Sequence, residues 1–482
     1  MVTVTPDLVR LYAESDALGL AELVRHKEVS ASDLVETAIG LIETLDPKLN
    51  AVVIRTFDIA RQAALAPAAG PFGGVPFLLK NIGSMWQGTP LTNGLGYLRD
   101  HVCSSDSELS RRIKAAGFLL LGRTNTPECG WCIGTEPRFY GPTLNPWNPA
   151  ITVGGSSGGA AAAVASRMVP LAEASDGGGS IRVPASCNGL VGLKPSRGRI
   201  TYGPDTVDLW FGSVAIFCVS RSVRDTAAYL DAVAGPMTGD PYPAPAPGEG
   251  WLAQLDNAPR SLRIGYTMAA PWGEPVAAPV IAALEATLQL LEGFGHRIEE
   301  HRLAIELEEV WPHYNNINAV ETAMDFDHLA EIVGRQVEEA DLAPVNWSLL
   351  QRARSLSAVH YAHSIAAVRK ASQRIAQDLA PYDVFLTPAL TQPPRPLGYW
   401  SMEETDLERY LGRWSDAAYM FAFNLSGLPA LVVPGTIDPA GTVPIGVQLV
   451  GRHGDEATLL RLARQMESVS NWQERKPGIC AI

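Results

Sequence analysis

The chain has 482 residues, 46% hydrophobic and 18% charged, which is the composition of an ordinary globular protein with a large core. Its formal net charge is −13 and no cluster of lysine and arginine interrupts the acidic balance, so we expect neither a nucleic-acid partner nor an anionic membrane surface. No apolar stretch approaches the roughly 20 residues of a membrane span, and residues 1–7 lack the basic and apolar parts of a leader sequence.

The N-terminal part of the chain predicts two helices followed by a strand. Apolar residues recur at helical spacing over residues 18–26 and 32–45. Ser30, with Asp33 three positions later, predicts a capping box at the start of the second helix. Residues 51–54 are apolar and predict a strand.

Helices and strands alternate in the next part of the chain. We predict a helix over 107–116, a strand over 118–121, a helix over 158–167 and a strand over 169–172. Such alternation, with short apolar strands, predicts a mixed sheet sandwiched between helices. Residues 236–250 are rich in proline and glycine and look like a linker. Later elements are predicted at 223–233, 262–266, 280–294, 383–386, 431–433, 446–450 and 456–467.

The cysteines give little sign of a disulfide framework or a metal site. The six are scattered without paired spacings, which indicates a reducing cytoplasm. Cys129 and Cys132 form a Cys-x-x-Cys pair, a spacing also found in redox and zinc sites. A zinc site needs a second pair or histidines at ligand spacing, and none follows. We therefore expect no metal and no cofactor.

One lysine and two serines stand out as candidate catalytic residues. Lys80 ends the apolar run 75–79, and a lysine in apolar surroundings loses its charge readily. Ser156 and Ser180 each lie in a glycine-rich turn, where a hydroxyl beside free backbone N–H groups suits an acyl-transfer nucleophile. Alone, the first turn is also typical of a flexible surface loop and Lys80 of a surface lysine. The turn lacks the Gly-Lys-Ser/Thr ending of a phosphate-binding loop.

Together these segments resemble the amidase signature family, whose hydrolases use a Ser–cis-Ser–Lys triad. The resemblance runs from about residue 15 to about residue 467 and implies one α/β/α catalytic domain over residues 1–482, with a mixed, twisted central sheet. The core motifs fall at about 70–200 and a divergent, specificity-determining section at about 300–400, and the resemblance makes 236–250 a surface excursion. The matching segments include both serine turns, the lysine segment, 122–128, 192–198, 423–430 and 444–450.

Site residues are carried over from the family by position. The resemblance implies that Ser180 is the nucleophile, Ser156 the cis-serine and Lys80 the base that acts through it. Asp176 and Arg182 flank the nucleophile, and we expect them to pair and support the turn. The oxyanion hole is expected from the N–H groups of Gly177, Gly178, Gly179 and Ser180.

Aromatic residues near these motifs predict the substrate pocket. We expect Trp131, Tyr140, Trp210 and Phe211 to line it, although most tryptophans simply belong to a core. Gly177 replaces a side chain usual in the family, and we expect its absence either to widen the acyl site or to loosen the loop. The pocket is therefore expected to prefer bulky apolar or aryl groups.

The resemblance implies a hydrolase of C–N bonds other than peptide bonds. The pattern is similar to a branch of bacterial amidases active on xenobiotic amides and carbamates (urethanases), and we expect both substrate classes. One alternative is an amidotransferase A-type subunit that hydrolyses glutamine within a multi-subunit complex. A second is a non-catalytic protein, which the presence of all three triad residues disfavours. We expect a cytoplasmic monomer or homodimer whose partner is a small-molecule amide or carbamate.

Overall fold

The strands of the described residues form one sheet. A computed structural model describes residues 4–204, 206–257, 259–438 and 441–482, so the first three residues of the stretch tested for a leader sequence lie outside the described residues. The strands are β1 (Val52–Arg55), β2 (Pro76–Lys80), β3 (Leu119–Thr124), β4 (Leu171–Asp176), β5 (Val191–Lys194), β6 (Ala215–Ser220), β7 (Arg263–Tyr266), β8 (Arg297–Glu300), β9 (Val384–Pro388), β10 (Ala430–Ile437) and β11 (Pro444–Gly451).

The sheet is mixed, as predicted. Its eleven strands run in the order β1-β3-β2-β4-β6-β5-β10-β11-β9-β7-β8. The trio β3, β2 and β4 is parallel, as is the trio β9, β7 and β8, and the remaining neighbours are antiparallel. Segment 236–250 lies between β6 and β7 in the chain, yet strands from both sides of it share this sheet. It does not separate two sheets, and most of its residues are exposed.

Helices flank the sheet throughout the part of the chain that the structure describes. The region from 300 to 400, which sequence analysis left without assigned helices, holds three of the longer ones. The helices are α1 (Pro6–Glu14), α2 (Ala17–Arg25), α3 (Ala31–Leu45), α4 (Phe57–Ala63), α5 (Glu108–Ala115), α6 (Gly158–Ala165), α7 (Arg182–Asn188), α8 (Val223–Val233), α9 (Ala278–Gly293), α10 (Leu307–Val333), α11 (Pro344–Ser355), α12 (Ala358–Leu379), α13 (Leu407–Gly412), α14 (Ala418–Ser426) and α15 (Glu456–Ser470).

Strand β11 shows that helices cover both faces of the sheet. A Cβ at Gly446 would point toward Ser186 of α7, whereas a Cβ at Gly451, an odd number of residues further on, would point toward Leu459 of α15. Because successive side chains of a strand point to opposite faces, α7 and α15 lie on opposite sides. The predicted α/β/α sandwich is confirmed.

Two local features of the sequence have the expected counterparts in the structure, the capping box of α3 and the apolar run that ends at Lys80. The Ser30 hydroxyl accepts the Asp33 N–H at 3.1 Å and the Asp33 carboxylate accepts the Ser30 N–H at 2.8 Å, so the predicted capping box is present at the start of α3. Strand β2 is buried along its whole length, which delivers Lys80 into the core. In the described part of the chain, no helix is both long enough and apolar enough to cross a bilayer.

Candidate active site

Lys80 ends β2 with a buried side chain. Its Nζ lies 2.7 Å from Ser156 Oγ and 2.9 Å from Ser175 Oγ. Burial lowers the pKa of Lys80 to about 7, although the negative charges of Glu173 and Asp176 act in the opposite direction. Near neutral pH, a substantial part of this amine is therefore uncharged and able to accept a proton from a hydroxyl group.

Ser156 lies at the predicted turn, two residues before α6. The Gly155–Ser156 peptide bond is cis, as the resemblance implied. A Cβ at Gly155 would lie 2.2 Å from the carbonyl oxygen of Gly134, so this position has room for glycine alone. The turn brings the Ser156 hydroxyl to Lys80 in the interior, where the serine is 2% exposed.

Ser180 lies in the turn between β4 and α7, next to the Ser156 turn. The Ser157 N–H donates to the Ser180 carbonyl oxygen at 3.3 Å, which joins the two turns directly. Ser156, Ser175 and Ser180 all line one cavity of about 330 Å³. The structure therefore brings together the lysine and both serines, and it adds Ser175, which sequence analysis missed.

The peptide groups of the Ser180 turn have distinct partners. The Gly179 N–H donates to Asp176 Oδ1 at 2.7 Å, so this predicted oxyanion donor is already engaged. The Tyr314 hydroxyl donates to the Gly177 carbonyl oxygen. Because the C=O and N–H of a trans peptide point in opposite directions, the Gly178 N–H points away from Tyr314. Within the described residues, the N–H groups of Gly177, Gly178 and Ser180 make no hydrogen bond.

Asp176 and Arg182 form the predicted pair beneath the turn. Arg182 Nε lies 2.8 Å from Asp176 Oδ2, and both side chains are fully buried. Arg182 also donates to Gln448 Oε1 and Asn424 Oδ1, each at 2.6 Å. Burial alone raises the pKa of Asp176, but the charge and hydrogen bonds of Arg182 outweigh it and hold that pKa below its usual range. The carboxylate therefore stays ionised and anchors Gly179.

One face of α10 organises three parts of the site. Tyr314 holds the Gly177 carbonyl, and Thr322, two turns further along, accepts the indole N–H of Trp131 at 2.5 Å. Between them in sequence, the Glu321 carboxylate faces the backbone N–H groups of Trp210 and Phe211. Sequence analysis missed this role because these contacts join residues more than a hundred positions apart.

The cavity beside the serines is mainly apolar, and Trp210 forms part of its wall. Trp131 lies behind Trp210, with ring centroids 5.1 Å apart, and supports it. Asn93, Asp325 and His328 add polar groups that sequence analysis did not identify. Apolar lining residues include Ile82, Met85, Leu98, Val214, Phe326 and Leu329.

Of the predicted pocket residues, Trp210 alone lines the cavity in the described part of the chain. Trp131 lies behind it, so the prediction that Trp131 lines the pocket is wrong, and Tyr140 and Phe211 lie elsewhere. Tyr140 is not among the cavity-lining residues of the described chain, because its hydroxyl lies 3.0 Å from Thr92 Oγ1 and its ring packs on Phe139. Phe211 also lies off this wall, with its ring 4.7 Å from the Arg369 guanidinium. Nearness in sequence to a motif does not bring these side chains to the cavity.

The expectation that Gly177 widens the acyl site is wrong. A Cβ at Gly177 would lie 2.6 Å from Trp210 Cζ3, so the indole ring fills the space that the missing side chain leaves. The glycine allows the ring to approach the Ser180 turn closely.

The Cys-x-x-Cys pair lies next to the cavity as two free thiols. Cys129 is a lining residue, while Cys132 Sγ donates to the Trp400 carbonyl oxygen at 2.8 Å. The two cysteines therefore face different surroundings.

Comparison with known sequences decides the family. The model of the Amidase family matches residues 33–460 of the chain. The chain belongs to the amidase signature family. The resemblance noted in the sequence is thereby confirmed.

This amidase is similar along its length to proteins with assigned activities. It is 36% identical over 481 residues to the 6-aminohexanoate-cyclic-dimer hydrolase of Paenarthrobacter ureafaciens, covering 96% of each chain. A solved structure of 6-aminohexanoate cyclic dimer hydrolase matches with a TM-score of 0.92 at 35% identity, covering 97% of this chain and 99% of that one. A bacterial aryl acylamidase matches with a TM-score of 0.85 at 26% identity, covering 95% and 98%. This amidase is a hydrolase of amide C–N bonds.

Proposed function

We propose that this amidase hydrolyses bulky apolar or aryl amides, and carbamates, through an acyl-enzyme on Ser180. The observation that carries the proposal is the 2.7 Å contact between Lys80 Nζ and Ser156 Oγ, made by a buried lysine beside the cavity that Ser180 lines. A lysine in this state can act as a base, because burial lowers its pKa to about 7.

The proposed reaction begins with transfer of one proton along the three side chains. Neutral Lys80 accepts the Ser156 proton, Ser156 accepts the Ser180 proton, and Ser180 Oγ forms a bond to the carbonyl carbon. The tetrahedral oxyanion accepts hydrogen bonds from free N–H groups of the Ser180 turn. The proton then returns along the same route to the leaving amine as the C–N bond breaks.

A water molecule completes the cycle. It attacks the Ser180 ester, its proton passes to the base, and the returning proton releases Ser180 as an alcohol. A carbamate presents the same carbonyl next to nitrogen, so attack, oxyanion binding and amine release need no further protein group.

The cavity supports the proposed substrate preference. Trp210 and the apolar residues around it provide contact area for a ring or a long alkyl group beside Ser180. Burial of apolar area is worth roughly 25 cal/mol per Å². Acetamide is too small to use this wall.

A panel of four substrates tests the proposal on the purified chain. Release of aniline or ammonia is measured for acetanilide, ethyl N-phenylcarbamate, acetamide and glutamine, and intact-protein mass spectrometry looks for the acyl adduct. We expect turnover of the two aryl substrates, an adduct on wild type, and no adduct on Ser180→Ala. Turnover of glutamine alone would support the amidotransferase-type alternative. An adduct on Ser180→Ala would contradict the assignment of Ser180 as the nucleophile.

The proposal needs no metal, no cofactor and no partner protein of a different sequence. We also propose that the enzyme works in the cytoplasm as a monomer or homodimer. Its six unpaired cysteines support a reducing compartment. Activity of the purified chain, with its mass determined by light scattering during size-exclusion chromatography, tests the subunit number.

A further inference from the structure

A buried carboxylate lies behind Lys80, and the proposed reaction does not use it. Glu173 precedes Ser175 by two residues in β4, so both side chains leave the same face of the strand. Ser175 Oγ lies 2.9 Å from Lys80 Nζ, whereas Glu173 Oε2 accepts the Lys80 backbone N–H at 2.9 Å. Strand β4 therefore contacts this lysine at its amine and at its backbone.

Glu173 and Arg123 hold the segment that follows β2. Glu173 Oε1 accepts the Ser84 hydroxyl. Arg123 Nη1 donates to the carbonyl oxygens of Lys80 at 3.1 Å and Ser84 at 2.9 Å. Glu173 is 1% exposed and Arg123 is fully buried, so the arrangement is closed to solvent. The Glu173 carboxylate thus accepts a backbone N–H of this segment, and the Arg123 guanidinium donates to its carbonyl oxygens.

The charges of Glu173 and Lys80 act on each other. Burial raises the pKa of Glu173 to about 7 and lowers the pKa of Lys80 to about 7. Ionised Glu173 raises the pKa of Lys80, and protonated Lys80 lowers the pKa of Glu173. The charge state of each group therefore changes the pKa of the other.

Other titratable groups around the pair leave this coupling in place. Asp176 of β4 also raises the pKa of Lys80, but its charge is balanced by Arg182. Cys218 of β6 is paired with Glu173 in the sheet, and burial raises the pKa of its thiol, so it stays neutral. Burial likewise raises the pKa of Tyr229 of α8. Arg123 of β3 lowers the pKa of Glu173.

We propose that Glu173 is a positioning residue that holds the Lys80 segment in place and sets the pH at which the Lys80 amine becomes neutral. The inference rests on the proposed function, in which Lys80 is the base. A negative charge beside the lysine stabilises its protonated form, so the neutral base appears at a higher pH than burial alone would allow. The same carboxylate fixes the backbone from which the amine extends to Ser156.

The pH dependence of kcat in Glu173→Gln tests the inference. Glutamine keeps the shape and can still accept the Lys80 N–H, but it removes the negative charge. We expect the acid limb of the kcat profile to move to lower pH by about one unit. A folded Glu173→Gln enzyme with the wild-type limb would overturn the inference.

Two further variants separate charge from structure. Glu173→Asp keeps the charge on a shorter side chain. We therefore expect a lower kcat, with the acid limb of the pH profile at the same pH as in wild type. If the limb moved in this variant as far as in Glu173→Gln, the shift would not be an effect of charge. Asp225→Asn removes another fully buried carboxylate, which accepts N–H groups at the start of α2, and we expect it to leave the limb unmoved.

Ser84→Ala decides the question if Glu173→Gln does not fold. Loss of the Ser84 hydroxyl disfavours ionised Glu173, so the limb is expected to move the same way by a smaller amount, and an unmoved limb would overturn the inference. A failure of the proposed function is recognised separately. In that case wild type shows no acid limb near pH 7 and Lys80→Ala retains activity.

Discussion

The indole ring of Trp210 packs directly on the backbone of Gly177, next to the Ser180 turn. A Cβ added to Gly177 would lie 2.6 Å from Cζ3 and 2.7 Å from Cε3 of that ring. The position of the ring therefore requires glycine at residue 177, because a side chain there would occupy the same space. The position of the cavity wall and the geometry of the Ser180 turn are coupled at this contact.

Gly177→Ala is expected to disturb both the wall and the turn. The added methyl group must displace the Trp210 ring or the 177 backbone, and overpacking of this kind costs about 1–3 kcal/mol in the free energy of unfolding. We expect kcat/KM for acetanilide to fall about 10- to 100-fold, since small displacements near the proposed nucleophile are costly. Steady-state kinetics and urea denaturation measure the two effects.

Two variants control this prediction. Gly40→Ala adds the same methyl group within α3, where nothing lies within 4 Å, and it is expected to leave activity unchanged. Gly177→Ala combined with Trp210→Ala removes the clash and is expected to recover stability relative to Gly177→Ala. If the double variant gains nothing, the ring contact does not determine the effect.

The three proposed catalytic side chains are expected to behave as one unit. Ser180→Ala removes the nucleophile and little volume, so kcat is expected to fall about 10⁴- to 10⁶-fold with the fold intact. Ser156→Ala combined with Ser180→Ala is expected to lose little more than Ser180→Ala alone. Ser166→Ala, at a buried serine bonded to the Ala162 carbonyl, is the matched control. Near-native turnover by Ser180→Ala would contradict the assignment.

Activity is expected to fall as the pH drops through about 7. The base must be neutral, and burial lowers the pKa of Lys80 to about 7, so the protonated, inactive form dominates at lower pH. We expect kcat to decrease about tenfold per pH unit well below that value. Lys80→Arg keeps a positive charge that is not lost in proteins and is expected to be inactive at every pH tested. Full activity at pH 5 would exclude a lysine base.

Local motifs allowed the centre of the site to be predicted. Lys80, Ser156 and Ser180 lie in short segments whose glycine content or apolar approach is visible without knowledge of the fold. Up to residue 300, six of the nine described helices and four of the eight described strands were predicted, including α6 and β4 between the two serine turns. Helix α7, which follows the Ser180 turn, was not predicted. A local pattern of this kind depends on neighbouring residues, and sequence analysis can therefore detect it.

Contacts that join distant segments could not be predicted in this way. Tyr314 reaches the Gly177 carbonyl across 137 positions, and Thr322 reaches Trp131 across 191. Glu173 lies within a buried strand, and its bond to Lys80 depends on β2 and β4 being neighbours. Trp210 lines the cavity, whereas its neighbour Phe211 does not. This difference depends on the conformation of a loop, which has no periodic sequence pattern from which it could be predicted.

Tyr314→Phe is expected to lower kcat while the fold persists. The change removes the hydroxyl that holds the Gly177 carbonyl, so the peptide that carries the Gly178 N–H loses its fixed orientation. A buried hydrogen bond contributes about 0.5–1.5 kcal/mol, so a decrease of about 3- to 10-fold in kcat is expected, with a smaller change in KM. Progress curves with acetanilide provide both constants.

Tyr12→Phe is the matched control for Tyr314. Tyr12 is also buried and donates to a backbone carbonyl, that of Met168, at 2.9 Å, and it is not among the residues that line the cavity in the described chain. We expect it to lose stability without a change in kcat. If both variants lower kcat equally, the effect of Tyr314 is a general one on stability.

Trp210→Ala is expected to change substrate preference more than it changes catalysis itself. The ring forms part of the cavity wall beside Ser180. The Trp131 ring packs behind it, with ring centroids 5.1 Å apart, and Trp131 is itself held by its hydrogen bond to Thr322. Burying an aryl group contributes a few kcal/mol at roughly 25 cal/mol per Å² of apolar area, which allows about a hundredfold preference if it is realised in the transition state. We therefore expect the ratio of kcat/KM for acetanilide to that for acetamide to fall about 10- to 100-fold in Trp210→Ala.

Trp210→Phe keeps an aromatic face and is expected to retain most of the ratio. Equal efficiency of wild type on both substrates, unchanged in Trp210→Ala, would exclude an aromatic wall as the source of specificity and would leave the roles of Lys80 and the serines untouched.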